Sequence, residues 1–260
     1  MKFPTFLLLG ALTAGALAFG GPAAMAAEAD ASCPTHYAFG AAGERMPRVA
    51  EALKRGRGVA IVAIGSSSTE GAGASTAWET YPHRLGRELS RRYPDQTVVV
   101  ENRGRGGEEA SETLARFEQD VLRRRPDLVI WQVGSNDLLG GISFERLAEV
   151  VRNGVGRLRA AGIDVVVMDL QYAPRVSAVA GHDRYNEALD HVAEQAGALV
   201  FRRYALMRRN AEAPRRDAPA WVATDGLHLT DASYRCVAKM MADQIARTVG
   251  GSETHRMAVR

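Results

Sequence analysis

The chain has 260 residues, 46% apolar and 24% charged, which suits one globular domain with a full core and leaves room for two at most. Its 33 Lys and Arg nearly balance 30 Asp and Glu, for a formal net charge of +3. Apart from short runs such as Arg123-Arg124-Arg125, the arginines are dispersed and no basic stripe carries interleaved aromatics, so nucleic acid is excluded as an expected partner.

The N-terminus reads as a targeting segment. Lys2 supplies a minimal positive region, Phe6 to Phe19 is apolar, and Ala24-Met25-Ala26 fits a small-x-small cleavage pattern. Residues 1–26 are therefore expected to be a signal peptide, cleaved near Ala26, with an uncleaved anchor as the alternative. The apolar stretch is short for a membrane span and ends in Gly20-Gly21-Pro22, and no later segment reaches spanning length. The mature chain, residues 27–260, is expected to be one periplasmic or secreted domain with its core at 46–249. Export would place Cys33 and Cys236 in an oxidising compartment, where a disulfide is the expectation and two buried thiols the alternative. Neither cysteine has a ligand-spaced partner, so no metal site is expected.

A short helix is expected from Met46 to Arg55, with Val49, Ala52 and Leu53 on one face. Val59 to Ile64 is an apolar, β-branched run too short for a typical helix, which reads as a strand buried on both faces. It gives way at Gly65 to a hydroxyl-rich loop. Trp78 to Tyr93 reads as a helix with Leu85 and Leu89 paired at i,i+4, Pro82 near its start and Pro94 at its end. Strand Thr97 to Val100 runs into a glycine-rich segment, and a helix follows from Glu108 to Arg124, its first turn acidic as the macrodipole prefers. Then come strand Asp127 to Val133, helix Ser143 to Ala161, strand Val165 to Leu170, helix Arg184 to Ala196 and strand Leu199 to Phe201. Residues 202–222 are mixed, and a last helix covers Asp231 to Val249. No repeat, long linker or low-complexity tract interrupts the order. Alternating βα units with about five strands imply one parallel, doubly wound α/β sheet covered by helices.

Four loops carry chemistry: Ser66-Ser67-Ser68, Gly106-Gly107, Asn136-Asp137, and Asp225 with His228. In a parallel sheet the strand C-termini share one edge, so such loops can converge. A serine hydroxyl needs a base to become a nucleophile, and a histidine base needs an acceptor to set its tautomer. Asp225 lies three residues before His228, which in a turn puts both on one side. Backbone N–H groups of a glycine loop, with an Asn amide, can hold an oxyanion. Each loop also has a plainer reading as a turn, an Asx cap or a surface histidine. Their combination, in this order, is what points to acyl transfer.

On these residues the chain resembles the SGNH (GDSL-type) hydrolases, a family of esterases and lipases. Gly65-Ser66-Ser67-Ser68-Thr69-Glu70-Gly71 is similar to the first block, Gly-Asp-Ser-Leu-Thr-x-Gly. Asn102-Arg-Gly-Arg-Gly-Gly107 is similar to the second, Gly134-Ser-Asn136-Asp137 to the third, and Asp225-Gly-Leu-His228 matches the last, Asp-x-x-His. The resemblance covers the chain from Gly58 onward. It implies a flavodoxin-like, three-layer α/β/α fold of about five strands and a reaction without cofactor. It also implies Ser67 as nucleophile, His228 as base and Asp225 as its partner, with an oxyanion hole formed by Ser67, Gly107 and Asn136. Ser66 and Ser68 depart from the usual Asp and Leu. Trp131, Gln132, Gln171 and Tyr172, near strand ends, are candidates to line the substrate pocket. Glu108 and Glu109 are better read as helix N-terminal charge than as a catalytic pair.

The implied substrate is a small-molecule, lipid or acylated-saccharide ester. The absence of a long hydrophobic lid in the sequence leans towards short acyl groups. A dinucleotide loop is disfavoured because Glu109 stands where Gly104-x-Gly106 needs a third small residue. An acyltransferase shares the first half-reaction and is not separable by sequence. A non-catalytic binding protein has no need of the full set of reactive residues. The lipase elbow Gly-x-Ser-x-Gly is missing, which disfavours the α/β-hydrolase fold.

Overall fold

A computed structural model of the chain describes Cys33, residues 46–212 and residues 219–250. The expected signal peptide lies outside the described residues. Contacts divide the chain between Cys33 and Pro34. Apart from Cys33, the described residues all belong to the second unit, whose architecture follows.

Helix α1, Pro47–Lys54, opens with proline, whose missing N–H is an orphan in a first turn anyway, and buries Val49 and Ala52. Strand β1, Val59–Gly65, is buried at every position but Ala60. The hydroxyl-rich segment after it is not a plain loop: Ser67–Glu70 forms a single helical turn, α2. The helix expected from Trp78 is split. Ala77–Glu79 is a 3₁₀ turn, Thr80 is extended, and α3 runs Tyr81–Arg92 with Pro82 in its first turn and Leu85 and Leu89 buried. Strand β2 continues past Val100 and spans Val98–Gly104. Its glycine-rich end stays in the ladder because Gly104 pairs in register with Gly65 of β1.

The single helix expected over Glu108 to Arg124 is three pieces: α4, Ala110–Ala115; α5, Phe117–Asp120; and a 3₁₀ turn, Leu122–Arg124. The break falls at Arg116, whose buried guanidinium turns inward to bond Asp120, Glu108 and the carbonyl of Gly65. A helical pattern in the sequence carries no sign of that long-range pull. The remaining elements are β3, Leu128–Gln132; α6, Ser135–Leu139; α7, Phe144–Ala160; β4, Asp164–Met168; α8, Pro174–Ser177; α9, His182–Gln195; β5, Leu199–Phe201; α10, Arg203–Glu212; and α11, Asp231–Gly250. The short helices α6 and α8 had no periodic signal.

The five strands are parallel in the order β2-β1-β3-β4-β5, the flavodoxin-like order of a doubly wound sheet. Helix α11 packs against α3 and α1, while α7 packs against α4 and α9. This makes a three-layer α/β/α sandwich, as the resemblance implied. The core beside α7 takes alternate strand residues: Val62 and Ile64, Val129 and Trp131, Val165 and Val167, and Val200. That period of two is what a strand presents to one face. Each such side chain, fully buried, contributes about 1.5–3 kcal/mol. Trp131 belongs to this core and meets Phe117 edge-on at 4.8 Å.

Cys33 and Cys236 are both disulfide-bonded, and neither is a free thiol. Among the described residues no helix is long and apolar enough to cross a membrane.

Candidate active site

The register brings the strand ends together. Gly65 pairs with Gly104, Ile64 with Trp131, and Gln132 with Met168. The segments that leave these ends therefore share one edge of the sheet.

Ser67 is the first residue of α2, behind an extended Ser66. Its Oγ lies 3.0 Å from His228 Nε2. On the far side of the ring, Nδ1 lies 2.5 Å from Asp225 Oδ2. Asp225 Oδ1 accepts two further bonds, from the N–H groups of Leu227 at 2.9 Å and His228 at 3.0 Å. The carboxylate thus holds both the imidazole and the backbone that carries it. The Leu227 N–H, then the imidazole and the His228 N–H, lower the Asp225 pKa to about 2.

The loop is closed by an antiparallel bridge between Val222 and Leu229 and by Ala223 N–H donating to the His228 carbonyl at 2.8 Å. It is pressed against the segment after α2. A Cβ on Gly73 would sit 2.3 Å from the Leu229 carbonyl oxygen and 3.2 Å from His228 Cβ. Only glycine permits that approach, which keeps the serine and histidine segments at hydrogen-bond distance.

The donor loops lie alongside. The position of a Cβ on Gly106 is 3.9 Å from Ser67 Cβ. Gly107 is exposed with φ +82°, a left-handed conformation that suits glycine. Among the described residues, the N–H groups of Ser67 and Gly107 have no hydrogen-bond partner. For Ser67 this is the ordinary state of a first helical residue, whose N–H has nothing behind it to bond. Asn136, on α6, is half-buried, and its Nδ2 donates to the Glu108 carbonyl at 2.9 Å. That bond fixes the amide and uses one of its two N–H groups. Asp137 beside it is buried and accepts from Ala110 N–H at 3.1 Å and Gly134 N–H at 3.2 Å. Burial raises its pKa against those bonds.

Gln132 and Gln171 sit beneath the loops, both 2% exposed. Gln132 Oε1 accepts from Ser66 N–H at 2.9 Å, Ser66 Oγ at 3.1 Å and Thr69 Oγ1 at 3.2 Å. Gln171 Oε1 accepts from Ser135 Oγ at 2.8 Å and Ser68 Oγ at 3.4 Å. Their oxygens hold α2 and α6 onto the sheet. Tyr172 is half-buried, packed edge-on against Tyr204 at 5.3 Å. Arg116 was not visible as a site residue, yet it ties α4 and α5 to the end of β1. Nothing local marks it: it is one more arginine in an arginine-rich helix. Gly104, the first glycine of the dinucleotide-like stretch, is otherwise engaged. A Cβ on Gly104 would lie 1.9 Å from the Glu70 backbone nitrogen, so protein occupies that close approach. Among the described residues no group of three or more His, Cys, Asp or Glu could hold a metal ion.

The sheet and the segments at its edge define the class, a carboxylic ester hydrolase of the SGNH type. More narrowly, the chain belongs to the non-GDSL lipase-like family, whose model matches residues 32–251. An arylesterase of Vibrio mimicus is 24% identical over 156 residues, 58% of this chain and 72% of its own. Thioesterase 1/protease 1/lysophospholipase L1 of Escherichia coli (strain K12) is 24% identical over 195 residues, 71% of this chain and 82% of its own. The fold is shared with an acetylxylan esterase from Geobacillus stearothermophilus, with TM-score 0.59, 20% identity, and coverage of 74% of this chain and 94% of that one. A two-domain esterase active on acetylated mannans superposes with TM-score 0.67 and 19% identity, covering 81% of this chain and 55% of that one.

Proposed function

We propose that the protein is an exported serine esterase that cleaves short-chain or acetyl esters through an acyl-enzyme. The observation that carries this reading is the continuous hydrogen-bonded chain from Ser67 Oγ through the imidazole of His228 to the Asp225 carboxylate. His228 Nε2 takes the Ser67 proton as Oγ attacks the ester carbonyl. The carbonyl oxygen becomes an oxyanion, held by the N–H groups of Ser67 and Gly107 and the remaining amide N–H of Asn136. The tetrahedral adduct collapses, His228 passes its proton to the departing alkoxide, and the alcohol leaves. Water then attacks the acyl-serine, with His228 again as base, and releases the acid.

Gln132 and Gln171 act as positioning residues, holding the serine turn and the Asn136 turn in register. Removal of residues 1–26 near Ala26 would leave the mature enzyme in the periplasm or medium, where a disulfide persists. The names of its relatives, which include an arylesterase and esterases of acetylated xylan and mannan, favour small acyl groups on aromatic or saccharide alcohols.

Initial rates of the purified mature protein, beside Ser67→Ala and His228→Ala, on nitrophenyl esters from acetyl to dodecanoyl test the assignment. Each variant should lose at least about 10³-fold in kcat while melting like the parent, with acetyl to butyryl esters the best substrates. Wild-type turnover in homogeneous Ser67→Ala would end this mechanism.

A further inference from the structure

Among the described residues, the carboxylate of Glu70 stands near the proposed nucleophile without a partner. The position of a Cβ on Gly106 is 2.8 Å from Glu70 Oε2 and 3.9 Å from Ser67 Cβ, so both groups border one small space. Glu70 is exposed, and among the described residues its carboxylate makes no hydrogen bond or ion pair. The backbone beneath it is held tightly. Its N–H donates to the Ser66 carbonyl at 2.9 Å, its carbonyl accepts from Asn102 Nδ2 at 3.2 Å, and Gly104 packs directly against it. The two arginines nearest in sequence to the adjoining Gly104 pair with other carboxylates, Arg103 with Glu101 at 2.7 Å and Arg105 with Asp120 at 3.2 Å. A carboxylate carried on this fixed backbone, unpaired among the described residues, disfavours negative charge nearby, including a developing oxyanion, unless a bound donor offsets it.

We propose that Glu70 is a specificity-determining residue, accepting a hydrogen bond from a free hydroxyl on the alcohol part of the ester. The inference rests on the esterase reading and narrows it to acyl esters of polyhydroxylated alcohols, sugars in particular. An ester without a donor leaves the carboxylate facing the reaction uncompensated. An anionic ester is repelled by it.

The test compares kcat/KM on 6-O-acetylglucose, which carries hydroxyl donors, with nitrophenyl acetate, which has none. Glu70→Ala should lower the ratio of the first to the second at least about tenfold, chiefly through KM for the sugar ester, because a hydrogen bond to a charged acceptor is lost. The isosteric Glu70→Gln, which keeps an acceptor oxygen and removes the charge, should shift the ratio in the same direction by less. It should also improve turnover of the anionic ester nitrophenyl hemisuccinate. A ratio within twofold of wild type in both variants overturns the inference, as does equal loss on both neutral substrates or failure of the wild type to hydrolyse the sugar ester. Ser67→Ala on nitrophenyl acetate runs in parallel. Lost turnover there with an unchanged ratio in the Glu70 variants sinks this inference alone, whereas retained turnover sinks the esterase reading beneath it.

Discussion

Asp225 performs two tasks with two oxygens, and they respond differently to mutation. In Asp225→Asn the side-chain oxygen can still accept from the Leu227 and His228 N–H groups, so the loop keeps its shape. The amide nitrogen would then face Nδ1, forcing the ring proton onto Nε2, the atom that accepts from Ser67 in the proposed mechanism. A loss in kcat of about 10³–10⁴-fold is expected, with little change in melting temperature. Loss of both activity and stability would mean that the loop, rather than the tautomer, is the sensitive part. The pH dependence has a definite sign. A carboxyl whose pKa is depressed on folding contributes stability that is complete above about 3.9, the ordinary value, and is lost on further acidification. For Asp225 that loss centres on a pKa of about 2. Its carbon resonance should titrate near that value, and a midpoint near 4 would show that the three bonds do not form in solution. Ser66 stands where the resembling blocks usually carry Asp. Its hydroxyl and N–H both donate to Gln132 Oε1, an oxygen that would repel the carboxylate usual at this position in the resembling blocks.

Among the elements, the joint between β2 and α2 is the most demanding. Gly104 lets the end of the edge strand touch the turn that carries Ser67, since any Cβ would overlap the Glu70 backbone nitrogen at 1.9 Å. Backbone cannot rotate away as a flexible side chain could. Gly104→Ala should therefore cost about 1–3 kcal/mol in urea unfolding and displace Ser67 from His228. A shift of roughly 1 Å is enough to lower kcat about 10²-fold. Wild-type kcat in that variant would show that α2 moves without consequence. The break at Arg116 teaches a related point. Residues 108–124 look helical in one dimension, but a buried guanidinium with three acceptors on different elements decides where the helix stops.

At the scale of the whole molecule, five parallel strands need every crossover to return over a face of the sheet, and that topology delivers the reactive segments to one edge. Cys33 and Cys236 are oxidised. Reduction under native conditions should lower stability by about 2–5 kcal/mol and the melting temperature by roughly 5–15 °C. Cys236→Ser should do the same without added reductant. An unchanged melting temperature in both experiments would mean the disulfide constrains nothing that the packed core does not already hold. Cys236 itself is fully buried on α11, so the serine variant also places a hydroxyl in an apolar site, and reduction is the cleaner measurement.

Much of this was readable in one dimension. Apolar runs marked all five strands; β1, β3, β4 and β5 are buried along nearly their whole length and leave little polar disguise, whereas only the Val98–Val100 half of the exposed edge strand β2 was legible. Asp225 and His228 were readable because their contact spans three residues. Ser67, Gly107 and Asn136, the proposed nucleophile and oxyanion donors, were readable as members of the blocks that follow β1, β2 and β3. What the sequence could not supply were contacts between residues far apart in the chain. Gln132 and Gln171 looked like pocket residues, and only folding turned their amides under the serine segments. Arg116 looked like helix surface and became a buried tie. Arg103 and Arg105 pair with Glu101 and Asp120, which the sequence does not mark, and among the described residues Glu70 is left without an ion pair. Local patterns encode which elements form, since φ/ψ preference and periodic burial act over a few residues. Which polar groups meet depends on packing all the elements at once.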